Sequence, residues 1–300
     1  MTTTSALPIH RPGLGIFWML VTGVLFVAVT ALVKHGAQDL PAAQSAFMRY
    51  AIGLVFLAPL IKPIRAAGLS RRQVVLFGWR GVAHSIGVIL WFFAMTRITV
   101  AEVTAMNYMA PIYITFGAAL FLGETLAVRR ILAIGLAFVG ALIILRPGFR
   151  ELSPGHFAML ATAVLFAISY LMAKQFSGQV SASVVVGMLS IFCTIGLAPF
   201  AFAVWQTPTM AEVGWMALVA LFATAGHYTM TLAFAAAPVT VTQPVTYLQL
   251  IWATLLGLWA FGEPVDGWVL LGGLIIMTSV TFITIREAML KRRREAASTL

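Results

Sequence analysis

The chain has 300 residues, of which 61% are apolar and only 9% charged, with a mean hydropathy of +0.98. A water-soluble fold carries about 25% charged residues, so an ordinary soluble domain is excluded and lipid must cover the apolar excess. The 19 Lys and Arg against 9 Asp and Glu give a net charge of +10, but the basic residues are too few and too scattered for a nucleic-acid face.

A membrane-crossing helix takes about 20 residues. Apolar runs broken by charge, Pro or Gly predict ten spans, near residues 14–34, 42–62, 72–96, 99–122, 128–146, 155–174, 181–204, 210–234, 239–261 and 267–286. The first run is too long for a signal-peptide core, and Lys34-His35 offers no small-residue cleavage site; it reads as a retained helix. Short connections predict that consecutive spans are antiparallel neighbours. Residues 1–13 and 287–300 read as cytoplasmic ends, the second a basic tail beside anionic headgroups. The single cysteine, Cys193, lies in an apolar run and reads as a small buried hydrophobe.

The chain repeats itself. Shifted by 140, Phe17, Met19, Leu20, Thr22, Val24, Leu25, Phe26 and Lys34 meet Phe157, Met159, Leu160, Thr162, Val164, Leu165, Phe166 and Lys174. The same shift brings Leu57-Ala58-Pro59 onto Leu197-Ala198-Pro199, and a shift of 139 brings Tyr108 onto Tyr247 and Gly123-Glu124 onto Gly262-Glu263. Two five-helix copies, 14–147 and 155–286, follow. Because five is odd, the second copy must enter from the opposite side, giving an inverted repeat. Charge agrees: with the N-terminus in the cytoplasm, inner segments hold thirteen Lys or Arg, and outer segments only Lys34, Arg97, Arg146 and Arg150.

Ionisable side chains inside a span are expected to face a cavity or a partner. Arg49, Arg80, His84 and His227 qualify. Arg80, His84, Gly87 and Trp91 follow i, i+4, i+7, i+11 and share one helix face. The eighth span adds Thr224 and Thr231, the fourth Thr104, Asn107 and Tyr108, the ninth Gln243, Thr246, Tyr247 and Gln249. The candidate substrate-binding residues are thus Arg49, Arg80, His84, Trp91, Asn107, Tyr108, His227, Gln243 and Tyr247. Each has a plainer alternative: Arg49 tying its helix to backbone carbonyls, Arg80 snorkelling to the surface, each His in one interhelical hydrogen bond, and the two Tyr as packing partners. Pro59, Pro111, Pro199 and Pro244 are candidate hinges or static bends. All nine acids fall at span ends or in loops, which disfavours cation–proton antiport and suits a carboxylate-bearing substrate, since Arg binds a carboxylate bidentately. Nucleotide-loop, zinc-protease and dinucleotide motifs are absent, so neither enzyme chemistry nor a cofactor or metal is expected.

The ten spans, the five-plus-five repeat, Arg49 and the duplicated Gly-Glu pair together resemble the EamA family of the drug/metabolite transporter superfamily, most closely its YddG-type amino-acid exporters. The resemblance implies an all-α basket around a central cavity lined mainly by the first, third, fourth, sixth, eighth and ninth spans, with the fifth and tenth outside. It also implies export of neutral or aromatic amino acids through the bacterial inner membrane by alternating access. Purines, organic anions or drugs on the same scaffold are the alternative, and a non-transporting membrane enzyme or scaffold is disfavoured by the repeat. Leu189 aligns with Arg49, and apolar residues align with Arg80 and His84, so the cavity is expected to be chemically asymmetric.

Overall fold

In the computed structural model the residues described are 12–58, 61–122, 128–149, 151–175, 180–237, 242 and 245–298. They form helices α1 (Pro12–Gly36), α2 (Ala42–Phe56), α3 (Ile61–Ala66), α4 (Arg71–Met95), α5 (Val100–Asn107), α6 (Ala110–Leu122), α7 (Val128–Leu145), α8 (Pro154–Lys174), α9 (Ala182–Ala203), α10 (Met210–Ala236), α11 (Leu248–Phe261) and α12 (Gly267–Ser298). Six described helices contain stretches long and apolar enough to cross a membrane: Pro12–Gly36, Arg71–Met95, Pro154–Met172, Val184–Ala203, Met210–Met230 and Gly267–Leu290. Ile131–Leu145 and Leu248–Phe261 are shorter apolar helices.

Several helix starts are written in the sequence. Ser70 and Gln73 form a reciprocal capping box on α4, as do Thr209 and Glu212 on α10 and Thr99 and Glu102 on α5, and Ser181 caps α9. Each hydroxyl takes up an amide that the first helical turn cannot satisfy internally.

Two expected spans are interrupted. The stretch 42–62 stops as helix at Phe56 and resumes as the short α3; Pro59 lies outside the described residues. The stretch 99–122 divides between α5 and α6. Pro111 has no amide to offer, and its ring crowds the carbonyl four residues back. The chain responds with tight turns, the Tyr108 amide donating to Ala105 at 3.2 Å and the Met109 amide to Met106 at 3.0 Å. By contrast α9 runs through Pro199 unbroken to Ala203. The basic tail begins as a continuation of α12, which extends to Ser298.

Short connections predict consecutive helices as neighbours, but contacts between the two halves of the chain are far more extensive. The most extensive contacts are α1 with α10, α4 with α8, α7 with α12 and α2 with α9, each joining the two halves of the chain. In lipid no hydrophobic force favours the next helix along, so close backbone approach decides. A Cβ on Gly140 of α7 would sit 2.7 Å from the Gly272 carbonyl of α12, and one on Gly272 would sit 2.5 Å from the Gly140 carbonyl. The pattern survives exchange of the halves: α1 on α10 corresponds to α8 on α4, α4 on α9 to α10 on α2, and α1 on α11 to α8 on α6. Helix starts repeat likewise, 12, 42, 71, 110 and 128 being followed by 154, 182, 210, 248 and 267. The outward faces of α7 and α12 expose Leu132, Leu136, Leu142, Leu271 and Leu274, as helices at a lipid boundary do.

Candidate functional site

Four of the candidate residues gather in one region, between α1, α2, α4, α8 and α10. On α4, His84 is buried and bridges two hydroxyls, with Nδ1 3.2 Å from Ser169 Oγ on α8 and Nε2 3.1 Å from Tyr50 Oη on α2. Its ring stacks on Phe166 of α8, centroids 4.7 Å apart and planes 22° apart. Arg49 on α2 holds its guanidinium 4.1 Å from the centre of the Tyr50 ring, within electrostatic reach of both His84 and His227. His227 on α10 meets Phe26 of α1 edge to face at 5.1 Å.

Arg80 does not snorkel. It is 4% exposed and donates from Nη1 to the Val185 carbonyl of α9 at 3.1 Å, which ties α4 to α9 while leaving its charge beside His84 and Tyr170. Tyr170 of α8 keeps 44% of its surface exposed.

The two aromatic walls are related by the repeat. Phe26 and Phe166 align in sequence, and each lies over a glycine of the helix facing it. A Cβ on Gly226 would come within 3.0 Å of Phe26, and one on Gly87 within 2.9 Å of Phe166. Aligned Thr22 and Thr162 fix the same crossings, Thr22 through Thr229 at 2.9 Å and Thr162 by donating to the Gly87 carbonyl at 3.2 Å. The histidines are not aligned, so similar walls carry imidazoles from different positions. Such convergence of a few polar groups on an aromatic-lined interior suits an organic small molecule.

Other candidates fall elsewhere. Tyr108 ends α5 and Tyr247 precedes α11; they pack edge to face at 5.4 Å and are 8% and 9% exposed, and the Tyr108 hydroxyl donates to the Thr246 carbonyl at 3.2 Å. Asn107 is exposed beside buried Met106 and Tyr108. Trp91 packs on Phe92 at 5.6 Å and makes no described contact with the histidine cluster. Pro111 causes the α5–α6 break. Gln243 and Pro244 lie outside the described residues, as does Glu124.

Sequence reasoning did not single out Tyr50, Phe166, Ser169 or Tyr170 as site residues, nor Phe26. Phe26 and Phe166 did carry a signal, being one of the identities that define the repeat. Tyr50, Ser169 and Tyr170 resemble any hydroxyl residue in an apolar helix.

The end of the bundle holding Lys34 is laced by polar contacts. Gly262, at φ 63°, turns the chain back after α11, and Glu263 then pairs with Lys34 of α1 at 2.6 Å and accepts the Val100 amide of α5 at 2.9 Å. Lys34 also donates to the Ile98 carbonyl at 2.8 Å. Glu102 of α5 meets His156 of α8 at 3.2 Å, and Arg146 pairs with Asp266. A depression of about 500 Å³ opens here, lined by residues including Lys34, Arg97, Glu102, Glu151, His156 and Glu263. Among the described residues no group of three or more His, Cys, Asp or Glu is placed to hold a metal ion.

The sequence is 30% identical to a riboflavin transporter of Vibrio cholerae over 95% of this chain and 97% of that protein. It is 26% identical to a pseudopaline exporter of Pseudomonas aeruginosa, over 88% and 94% respectively. An S-adenosylmethionine uptake transporter of Rickettsia bellii is 25% identical over 91% and 94%. These relatives carry different solutes in different directions, and they do not support the narrower expectation of an amino-acid exporter. The model of the EamA-like transporter family matches twice, at residues 13–146 and 153–285, one copy on each half of the chain. The chain therefore belongs to the EamA-like transporter family, a multi-pass membrane carrier of small molecules and not an enzyme.

Proposed function

We propose that this protein carries a planar heteroaromatic metabolite, with riboflavin the first compound to test. In this reading it works by alternating access between two inverted five-helix repeats, ten transmembrane helices in all, in the bacterial inner membrane with both termini in the cytoplasm. The observation that carries the substrate class is the pair of repeat-related walls, Phe166 stacked on His84 and Phe26 against His227. A flat ring system stacks on such walls. The His227 imidazole, the Arg49 guanidinium and the Tyr170 hydroxyl offer hydrogen bonds to its rim, while Tyr50 and Ser169 hold His84 in place. The riboflavin transporter of Vibrio cholerae supports riboflavin as the test compound. Charge asymmetry and the odd helix number of each copy support the topology.

A second reading, an aromatic amino acid, is favoured by the cations Arg49 and Arg80, which suit a carboxylate. The test is flux of riboflavin across liposomes containing the full chain, imposed in each direction to separate export from uptake. The expected result is flux well above protein-free liposomes and inhibited by excess riboflavin. Absence of flux both ways overturns the substrate, and preferential transport of labelled tryptophan or phenylalanine establishes the second reading.

A further inference from the structure

We infer that Arg80 and Arg49 form an oxyanion site, which takes a carboxylate or phosphate group between α2, α4 and α9. Arg80 is 4% exposed, and only its Nη1 is engaged, donating to the Val185 carbonyl at 3.1 Å. Nε is buried with no hydrogen-bond partner, and Nη2 makes no hydrogen bond among the described residues. Nε–H and Nη2–H point the same way along one edge of the guanidinium plane, the fork that grips two oxygens of one carboxylate or phosphate. The single bond of Arg80 thus leaves free the edge that suits an oxyanion. Folded proteins leave few buried polar groups unpaired, and this one belongs to a cation that does not shed its proton.

The charge is unmatched as well. Arg49, half-buried on α2, and Arg80 both lie within electrostatic reach of Tyr50, His84 and Cys193, so two cations converge on the same groups. Among the described residues no carboxylate comes within that reach of any of these, or of His227. Cations elsewhere are met: Lys34 pairs with Glu263 and Arg146 with Asp266. The repeat supplies no acid, since Leu189 aligns with Arg49 and Ala220 with Arg80. The Val185 carbonyl gives Arg80 a dipole and not a counter-charge, and a cation buried within a membrane is costly without one. Arg80 also lies beside the exposed Tyr170, so accessible surface adjoins the guanidinium.

The site stands without the solute assigned above; the source of the anion rests on that reading. A heteroaromatic solute with its own carboxylate or phosphate supplies the group itself, whereas a neutral one binds together with a free oxyanion.

Thermal unfolding of the purified full chain tests the site, as inorganic phosphate is raised from about 1 to about 100 mM with sodium chloride holding ionic strength constant; a ligand of the folded state raises the midpoint. A saturating rise is expected in the native chain and in Arg72→Gln, which removes an exposed cation from the start of α4. Arg80→Gln and Arg49→Gln are expected to need at least about tenfold more phosphate for the same rise. Each variant is compared with itself without phosphate, and Arg49→Gln decides if Arg80→Gln does not fold. No saturating rise in the native chain overturns the site, as does a rise that the substitutions leave unchanged.

A second arm reads the source of the anion through flavin fluorescence. Riboflavin 5′-phosphate bound at least about tenfold more tightly than riboflavin, with the preference lost in Arg80→Gln, assigns the group to the solute. Riboflavin bound more tightly as inorganic phosphate is added assigns it to a free anion. Flavins that bind with neither effect overturn the proposal. If no flavin binds, the substrate assignment fails, and the phosphate-dependent midpoint alone decides the site.

Discussion

The two halves of this protein are alike in how they pack and unlike in what they present. Thr22 and Thr162, Phe26 and Phe166, and Gly226 and Gly87 occupy matching places at the α1–α10 and α8–α4 crossings. Against that shared frame the first half contributes Arg49, Arg80 and His84, and the second answers Arg49 with Leu189. Buried charge is costly in a membrane interior, whereas small and apolar packing residues serve either half equally. The scaffold therefore keeps its symmetry while the polar groups differentiate the site.

The comparison is broken most directly by Arg49→Leu, which gives the first half the residue of the second. Loss of a charge-assisted contact of about 1.5–3 kcal/mol predicts substrate affinity about tenfold to a hundredfold weaker, read by equilibrium binding to the purified chain. Arg49→Lys should recover only part of it, because an ammonium has no planar face to lay on Tyr50.

Gly272→Ala tests the shared frame. Its added Cβ would meet the Gly140 carbonyl at 2.5 Å, so α7 and α12 must separate, at a cost of about 1–3 kcal/mol seen as a lower thermal midpoint in detergent. Gly135→Ala, on the same α7 with nothing within 4 Å of the new Cβ, should leave the midpoint unchanged or raise it slightly. Ser70→Ala and Thr209→Ala remove aligned caps from α4 and α10. Each should cost about 1 kcal/mol, and the two losses should match. Unequal losses would show that the halves differ in stability as well as chemistry.

Much of the architecture was legible because lipid makes it so. The offset near 140 follows from local sequence and Pro111 marks the α5–α6 interruption, whereas against ten expected spans six described helices are long and apolar enough to cross a membrane. Arg49, Arg80, His84 and His227 were legible as rare ionisable groups in apolar runs. Neighbours were not, since the contacts of His84 with Tyr50 and Ser169 join positions 34 and 85 residues away. Glu102 illustrates the difficulty: it reads as an ordinary acid at a helix end, and only folding brings it to His156, 54 residues on. The duplicated Gly-Glu pair was visible as a motif, but its use was not. The left-handed turn at Gly262 brings Glu263 back to Lys34 and Val100.

The central claim is that the two repeat-related aromatic walls hold one flat substrate between them, and equilibrium quenching of riboflavin fluorescence by the purified full chain tests it most directly. Saturable quenching is predicted, weakened in both Phe26→Ala and Phe166→Ala by similar factors. Quenching that both substitutions leave unchanged, or no saturable quenching at all, would contradict it.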